Sequence, residues 1–576
     1  MTLSETAAPW PQRAGLLAVL GLVLGWLVAD ISDGAVTPAD SAIITGLIVF
    51  GVAFGLLWDR GRLVPAAGFA VLAALVAAAA GWWSGISANG SGPDLLRLPS
   101  AVIAIAVAVP LFQAWHDARS AGGAGLPYAR AHDRAWTDLV TVAAALGFTL
   151  VSWLLAWMLA SLFKLIGFGE LERMLGESRV ACALLGAAFG GGGALARDSA
   201  GILSTLQRVL RFVLSALTPV LAVGLALFLL ALPFTGLAPL WEATKSTTPI
   251  LLFCIASGLV LANAVIADAP EDESRRRLLR LSAGVLVGAL LPLAVLASVS
   301  LGQRIGQHGW TPDRLWASVV VAVALAYGIA GLWALLRRSA WMARVRRGNL
   351  VMAFLLCGVA LLLATPLMDF GAISTRSQLA RLESGQVRPD KFDWAALRFD
   401  FGPSGEAAVR RLAAAPGATG QQAKAALKAQ TLWQLAEKIE EAAAVEAILV
   451  IPRDPAGGPR TVPPGIADVL KPLRLCDDDW SLCVLHLPPG ADTATLYVNI
   501  DTVMTAASVV RFRRIGNSWM ASNPDDQAAL GARAIGGDKI KALRAAILAG
   551  RATIRTVEAE QLVIDGEPVA MAPPER

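Results

Sequence analysis

Charged residues are scarce in this sequence, at 16% of its 576 positions. Soluble proteins carry about 25%, whereas the hydrophobic share here is 56% and the mean hydropathy is +0.59. This composition is typical of a membrane protein that crosses the bilayer many times. The net charge of +5 is small for the length. Because basic cytoplasmic loops explain it better than a nucleic-acid partner does, no nucleic-acid binding is expected.

Motifs of the common catalytic classes are also absent. The sequence has no phosphate-binding G-x-x-x-x-G-K-[ST] loop, no H-E-x-x-H zinc motif and no G-x-S-x-G nucleophile elbow. Its four histidines, His116, His132, His308 and His486, have no metal-ligand spacing. We therefore expect no catalytic residue, no cofactor and no metal ion, and the sequence favours a protein that is not an enzyme.

Two acidic patterns leave an alternative open. His116-Asp117 and His132-Asp133 share one predicted cytoplasmic loop and can form a small acid/base or metal cluster. An ordinary solvated loop fits better, because charged loops are the rule there. The run 477–479 consists of three aspartates that can bind a cation. Three consecutive carboxylates need a turn to face one ion, which again favours a solvated loop.

Five cysteines fall into two groups. Cys182, Cys254 and Cys357 lie in apolar runs, where packing is their expected role. Cys476 and Cys483 lie in the polar C-terminal part with six residues between them, a spacing that can close a small disulfide loop. Two separate core thiols are the alternative. No C-x-x-C pair exists, so a structural zinc site is not expected.

Eleven apolar segments are each long enough to cross a hydrocarbon core of roughly 30 Å. They are 14–31, 41–58, 64–83, 98–115, 136–163, 179–196, 212–234, 248–267, 279–301, 315–336 and 349–368. Each is expected to be helical, because backbone in lipid must satisfy its own hydrogen bonds. The first lacks a cleavage site and is expected to remain as an uncleaved helix. The sequence thus predicts an all-α polytopic membrane domain over residues 1–368.

The loops differ in basic charge, which predicts an orientation. One set of alternating connections holds about 18 Lys and Arg residues and the other about 7. The positive-inside rule places the richer set, with the N-terminus, in the cytoplasm. With eleven spans the C-terminal part then lies in the periplasm, and the protein lies in the bacterial inner membrane. If the weakest segment, 179–196, did not cross, every later segment would have the opposite orientation.

That weakest segment contains Gly190, Gly191, Gly192 and Gly193. Small residues allow close helix packing in lipid, which is the favoured interpretation. A broken helix that exposes backbone to a substrate, as in some transporters, is the alternative. Asn263 is the main polar amide inside a segment, and such a residue more often bridges helices than binds substrate.

The C-terminal part, residues 369–576, is predicted to be a soluble α+β domain with helices first and strands later. Ser374 is a candidate cap for a helix over 375–382, and a long helix is expected over 421–444. A further helix is expected near 538–548. Strands are expected at 447–451, 482–487, 495–500, 509–515 and 552–557, followed by a hairpin of 561–564 and 568–570.

Two passages resemble a known family. The first is RIGQHGWTPDR over 304–314, and the second is STRSQLARL over 374–382 with LRFDFG over 397–402. They are similar to polytopic bacterial membrane proteins of the domain-of-unknown-function family numbered 4153. The resemblance implies a many-helix inner-membrane protein with a soluble C-terminal part and supplies no activity. The signature residues, of unknown role, are Arg304, Gly309, Thr311, Pro312, Arg314, Arg376, Ser377, Gln378 and Leu379.

The first passage also has a physical interpretation. Thr311 is a good N-cap, Pro312 suits a first helical turn and Asp313 complements the helix dipole. A tight loop followed by a helix start is favoured over a contact with a ligand or partner.

Three functions remain on sequence grounds. The first is a non-enzymatic envelope or partner-binding role through the exported C-terminal domain, with the lipid bilayer and an envelope protein as partners. The alternative is a small-molecule transporter or channel. The second alternative is a membrane-embedded enzyme that modifies lipids or glycans, which needs a carboxylate or histidine cluster at one membrane face.

Overall fold

The computed structural model describes residues 11–59, 62–85, 96–123, 125–236, 247–337 and 340–429, together with short strands between 449 and 571. The chain divides into two compact units, Met1–Lys428 and Ala429–Arg576. The predicted boundary at 368/369 follows the fall in hydropathy. The first compact unit continues past it through three further helices.

Fifteen α-helices form the described part of the first unit. They are α1 (Pro11–Ile31), α2 (Pro38–Leu57), α3 (Leu63–Gly85), α4 (Arg97–Ser120), α5 (Tyr128–Leu165), α6 (Glu170–Gly176), α7 (Ser178–Asp198), α8 (Ala200–Thr235), α9 (Thr247–Ile266), α10 (Arg277–His308), α11 (Pro312–Leu336), α12 (Trp341–Ala364), α13 (Phe370–Glu383), α14 (Gly402–Leu412) and α15 (Gly417–Lys428). A π-helical turn, Ala396–Asp400, precedes α14.

Eleven of these described helices, α1–α5 and α7–α12, are long and apolar enough to cross a membrane. Each overlaps one predicted segment, so the prediction of a polytopic helical domain is confirmed as to the number and place of the candidate spans. The architecture is that of a multi-pass membrane protein. Several helices extend beyond the apolar run, because polar residues at the ends continue the same hydrogen-bonded ladder. The longest, α5, has 38 residues.

The closest helix pair in the described bundle is α1 with α7. A Cβ added to Gly186 would lie 2.1 Å from the carbonyl oxygen of Gly21, and one added to Gly190 would lie 2.2 Å from that of Leu17. Backbones can approach this closely only where both faces lack side chains. Helix α7 is continuous through the four-glycine run.

Ion pairs fix α7 to α1 at both ends. Arg13 Nη1 lies 3.7 Å from Asp198 Oδ1, and Arg179 Nη2 lies 2.8 Å from Asp30 Oδ1. The start of each helix therefore meets the end of the other, so the two helices are antiparallel over their whole length. We call the end of the bundle that holds Arg13 the proximal end and the opposite end the distal end.

The main hydrophobic core lies around α10. Leu286, Leu290 and Leu293 are fully buried and pack with side chains of α9 and α11. Helix α11 crosses α10 closely at Gly328, where a Cβ would lie 2.7 Å from the Cα of Leu291. A second core lies among α1, α2 and α3.

The described part of the second unit consists of strands. They are β1 (Leu449–Ile451), β2 (Val484–His486), β3 (Thr493–Val498), β4 (Ser508–Ile515), β5 (Ser518–Ala521), β6 (Gln561–Ile564) and β7 (Glu567–Met571). The sheet order is β1-β2-β3-β4-β5, with β1 parallel to β2 and the other pairs antiparallel. β6 and β7 form the predicted hairpin. β5 pairs with β4 and was not predicted.

Two details of the tail differ from expectation or lie outside the described residues. Helix α13 begins at Phe370, not after Ser374, because the Asp369 side chain accepts from Ala372 N at 2.8 Å and caps it earlier. Ser374 lies inside the helix, fully buried. The expected helix at 538–548 and strand at 552–557 fall outside the described residues, as does the part of the long helix after 429.

The α1–α7 contact generates a prediction. Gly186→Val should destabilise the protein by at least about 2 kcal/mol, because the new side chain would collide with the backbone of α1. The measurement is the thermal unfolding midpoint of the purified protein in detergent. Gly147→Val on α5 is the matched control, since a Cβ there meets no atom within 4 Å. Equal midpoints for the two variants would contradict the close approach.

Candidate functional site

The turn between α10 and α11 is held against α13 at the distal end of the bundle. Gln378 Nε2 donates to the carbonyl oxygens of His308 at 2.8 Å and Trp310 at 2.9 Å. Arg381 Nη2 donates to the carbonyl oxygen of Gln307 at 2.7 Å. We call these contacts between the turn and α13 the junction. Because the last carbonyls of a helix lack donors within that helix, α13 completes the end of α10.

Two further polar contacts close the same turn. Trp310 N donates to Ser377 Oγ at 3.1 Å, and Arg314 Nη1 donates to the carbonyl oxygen of Gly309 at 2.8 Å. Gly309 has φ +73°, and a Cβ there would lie 2.7 Å from Arg381 Cδ. Both the backbone conformation and the lack of space therefore require glycine at this position.

The junction joins the two passages that carry the family resemblance. The signature residues in polar contact within it are Gly309, Arg314, Ser377 and Gln378. Thr311 Oγ1 accepts from the N–H of Arg314 at 3.4 Å, and Pro312 is the first residue of α11, as predicted for a helix start.

The other signature residues have different surroundings. Leu379 is buried on α13, and Arg376 is exposed and donates within its own helix to Ala372 O at 3.4 Å. Arg304 lies in the last turns of α10. Sequence reasoning missed Arg381 as a member of the junction. Arg381 belongs to the second passage, but it bonds to a main-chain carbonyl oxygen. Every residue has such an oxygen, so the sequence carries no sign of this contact.

The start of α13 also packs near the start of α11. The ring of Trp316 on α11 meets that of Phe370 edge to face, with centroids 5.2 Å apart. In the π-helical turn, burial raises the pKa of Asp400 above its usual value, and the carboxylates of Asp393 and Asp313 add to the rise. Asp313, whose carboxylate adds to this rise, belongs to the first turn of α11.

An ion pair holds the π-helical turn to α14. Arg398 Nη1 lies 2.8 Å from Glu406 Oε1, and Arg410 Nη2 lies 2.6 Å from the same oxygen. Burial acts to raise the pKa of Glu406, but the hydrogen bonds from the two arginines outweigh it, so the pKa lies below its usual value. Gly405 supports the same contact, because a Cβ there would lie 2.1 Å from the carbonyl oxygen of Leu397.

The proximal end carries a network of arginines and aspartates. Asp117 at the end of α4 pairs with Arg62 before α3 and with Arg134 on α5, the latter at 2.7 Å. One turn earlier on α4, Gln113 Nε2 donates to both oxygens of the buried Asp138 at 3.0 and 3.2 Å. A crevice of about 20 Å³ lies among these groups. That volume has room for about one water molecule.

The two histidines of the predicted cluster lie on different helices and have different partners, with His116 on α4 and His132 on α5. His132 lies between two aromatic side chains of α5: Trp136 Nε1 donates to its Nε2 at 3.0 Å, and its Nδ1 lies 3.0 Å from the hydroxyl of Tyr128. His116 lies 3.5 Å from Ser120 Oγ. No group of three or more metal-binding side chains occurs among the residues that the structure describes.

A chain of hydrogen bonds continues from His132 through Tyr128 to two asparagines on other helices. Asn349 Nδ2 on α12 lies 3.3 Å from the Tyr128 hydroxyl and donates to Asn263 Oδ1 on α9 at 2.7 Å. Asn263 therefore bridges helices, which is the role that its place in a membrane segment favours.

Arg346 on α12 holds the loop that follows α9. Its side chain is buried, with Nη1 donating to Ile266 O at 3.1 Å and Nη2 lying 2.9 Å from Glu273 Oε1. The loop turns sharply at Ala267, whose φ is +56°. A non-glycine residue in this conformation needs support from its surroundings, and the arginine bond to the preceding carbonyl supplies it.

Several predicted features lie outside the described residues. They are Cys476, Cys483, the acidic run 477–479 and the side chain of His486. The described cysteines, Cys182, Cys254 and Cys357, are free thiols.

Comparison with known proteins gave no match: no protein-family model, no curated protein and no solved structure matches this chain. The family resemblance carried by 304–314 and 374–382 therefore stays a prediction.

The contacts of Arg346 generate a prediction. Arg346→Gln should leave the Glu273 carboxylate without its ion pair and destabilise the protein by roughly 2 kcal/mol. It should also speed tryptic cleavage at Arg275, Arg276 and Arg277 in detergent, because the loop is released. Arg347→Gln is the matched control, as the neighbouring Arg347 is exposed. Equal cleavage rates in the two variants would refute this role of Arg346.

Proposed function

We propose that this protein is a non-enzymatic, multi-pass inner-membrane protein that presents its C-terminal part to an envelope partner on the periplasmic face. The observation that carries the proposal is the junction. Gln378 and Arg381 of α13 satisfy main-chain carbonyls at the end of a membrane helix. The chain that follows the last span therefore leaves the bundle along a fixed path, as a binding platform requires.

The proposed orientation is supported by the excess of basic residues in one set of loops. The alternation of the spans has a support of its own in the pairing of charges, since the described inter-helix ion pairs join ends that the alternation assigns to one side. At the proximal end they include Arg211–Asp268 and Arg346–Glu273, and at the distal end Lys164–Glu172. With the basic loops in the cytoplasm, the distal end is periplasmic. Residues 369–576 are then exported, and they include the proposed soluble α+β domain.

The two alternative functions have less support among the described residues. A transporter needs a polar path through the membrane, yet the described buried charges gather at the proximal end. A lipid- or glycan-modifying enzyme needs a cleft with accessible carboxylates. Asp117 instead pairs with arginines beside a crevice of only about 20 Å³, and the buried Asp138 is bonded to the Gln113 amide.

Orientation is tested with reporters fused after Lys428. Alkaline phosphatase should be active there, and a green fluorescent protein should not fluoresce. A fluorescent fusion at this position would overturn the proposed orientation.

The junction predicts a change in the exposure of the tail. Gln378→Leu removes the two hydrogen bonds that Gln378 Nε2 donates to the α10–α11 turn, so the segment 384–401 should be cut by protease at least about fivefold faster. Thermal unfolding of the membrane bundle should change little. Gln422→Leu is the control, because Gln422 is exposed on α15. Cleavage at the wild-type rate would show that the junction does not hold α13.

Partner binding is tested by a photoreactive amino acid placed in cells at the exposed positions Arg411 and Gln422. We expect a discrete adduct with another envelope protein at one or both positions, and a several-fold lower yield when Gln378→Leu is added. Leu154, exposed on the apolar surface of α5, is the control position for lipid-facing background. The proposal would be overturned if no adduct formed from any exposed position on α14 and α15.

A further inference from the structure

An apolar cavity of about 340 Å³ lies between α1, α2, α5 and α7. Side chains such as Leu24, Val52, Leu185 and Phe189 line it. Its volume falls within the range of ligand pockets, about 300–1,000 Å³. All four helices are candidate membrane spans, so the medium around the cavity is hydrocarbon and not water.

The sequence explains why side chains do not fill this space. Glycines supply much of its wall on α1, α2 and α7, and they include Gly25, Gly51, Gly55 and Gly193. A Cβ added to Gly55 would have Leu17 Cδ1 at 4.0 Å as its nearest neighbour, so the space in front of it is open. The same absence of side chains that brings α1 and α7 together thus leaves this cavity beside them.

An occupant of this cavity must be mainly apolar. An empty space of this size forfeits dispersion contacts along its whole lining. Water is disfavoured, because a bound water needs two to four polar partners and the lining side chains are apolar apart from Thr141 and Cys182. Ile48 lines the cavity and is also 49% exposed at the surface of the bundle. A chain from the surrounding bilayer can therefore enter from the side.

The proximal end of the cavity offers one polar group. Thr141 lines the cavity and is 4% exposed, and its hydroxyl oxygen has no hydrogen-bond partner among the described residues. Buried hydroxyls are normally bonded. Threonine has two accessible χ1 rotamers in a helix, so this hydroxyl can turn toward a ligand at small cost.

The surroundings of Thr141 favour a neutral oxygen over an acidic head group. Asp138 lies one turn before it on α5, and Gln113 bonds that carboxylate. Four arginines near this end of the cavity, Arg13, Arg62, Arg134 and Arg197, are matched in number by the four aspartates Asp59, Asp117, Asp138 and Asp198. A ligand carboxylate would add an unmatched negative charge here, whereas an ester oxygen is neutral and would not.

We propose that this cavity binds one acyl chain of a bilayer phospholipid, with the ester oxygen of that chain at the Thr141 hydroxyl and its methylenes along α1, α2 and α7. The lipid belongs to the leaflet on the proximal side. Trp136, which lies five residues before Thr141 on α5, is typical of the membrane interface. The depth of Thr141 therefore suits the ester region.

The test uses the full-length protein in nanodiscs of phosphatidylethanolamine and phosphatidylglycerol. A few per cent of the lipid carries a photoreactive diazirine on one acyl chain, and labelled residues are mapped by mass spectrometry after irradiation. We expect labelling at cavity residues such as Leu24, Val52 and Phe189. Gly55→Leu should lower it at least fivefold by filling the cavity. Gly147→Leu, the same change at an open site outside the cavity, should leave it unchanged.

A second pair of variants tests the polar contact without altering the packing. Thr141→Val should lower labelling by a factor of about three to ten, the effect of one hydrogen bond. Thr149→Val is its control, because Thr149 Oγ1 already donates to Ala145 O at 2.8 Å within the helix.

Three results would overturn the proposal. The first is cavity labelling that Gly55→Leu leaves unchanged. The second is labelling confined to outward-facing residues such as Leu154, which would show only lipid around the bundle. The third is loss of the label to excess oleate but not to excess phospholipid, which would assign the cavity to a free fatty acid. If Gly55→Leu does not fold, the comparison of Thr141→Val with Thr149→Val decides the proposal.

Discussion

A backbone that crosses hydrocarbon must satisfy its own hydrogen bonds, and this constraint governs the whole first unit. It makes each apolar segment a helix and moves the unsatisfied carbonyls to the ends. At the end of α10 those carbonyls belong to Gln307 and His308, and side chains of α13 bond to them. The same need explains why Arg346 reaches the last carbonyl of α9. Polar side chains are thus placed where helices stop, and they join the spans to the loops.

The sequence predicted the spans well because hydropathy is a local property. Each of the eleven segments overlaps one helix, and Thr311 and Pro312 begin α11 as their chemistry indicates. The sequence predicts the start of α13 five residues late, because Asp369 and Ser374 are both good caps and only the packing chooses between them. The junction and the bridge from Asn349 to Asn263 could not be predicted. Their partners are distant in the chain, and the junction ends on main-chain atoms, which carry no residue identity.

Glycine has two opposite effects in the bundle. Where glycines of α1 and α7 face each other, the backbones touch. Where glycines of α1, α2 and α7 face a common space, a cavity of about 340 Å³ remains. Bulky residues in place of Gly55 or Gly193 would have closed that space with little strain, since a Cβ at either site meets only ordinary contacts. The cavity is therefore a property of residue choice and not of helix geometry alone.

The ion pairs that join α1 to α7 at both ends bear on how the protein is made. Helix α1 is synthesised before its closest neighbour, α7, which follows only after α2 to α6. During that interval its glycine face has no partner, and Arg13 lacks Asp198. Assembly of the first helices therefore depends on a contact between distant parts of the chain, which forms late and slowly. Helix α1 enters the membrane before α7, but it reaches its final place only once α7 has entered as well.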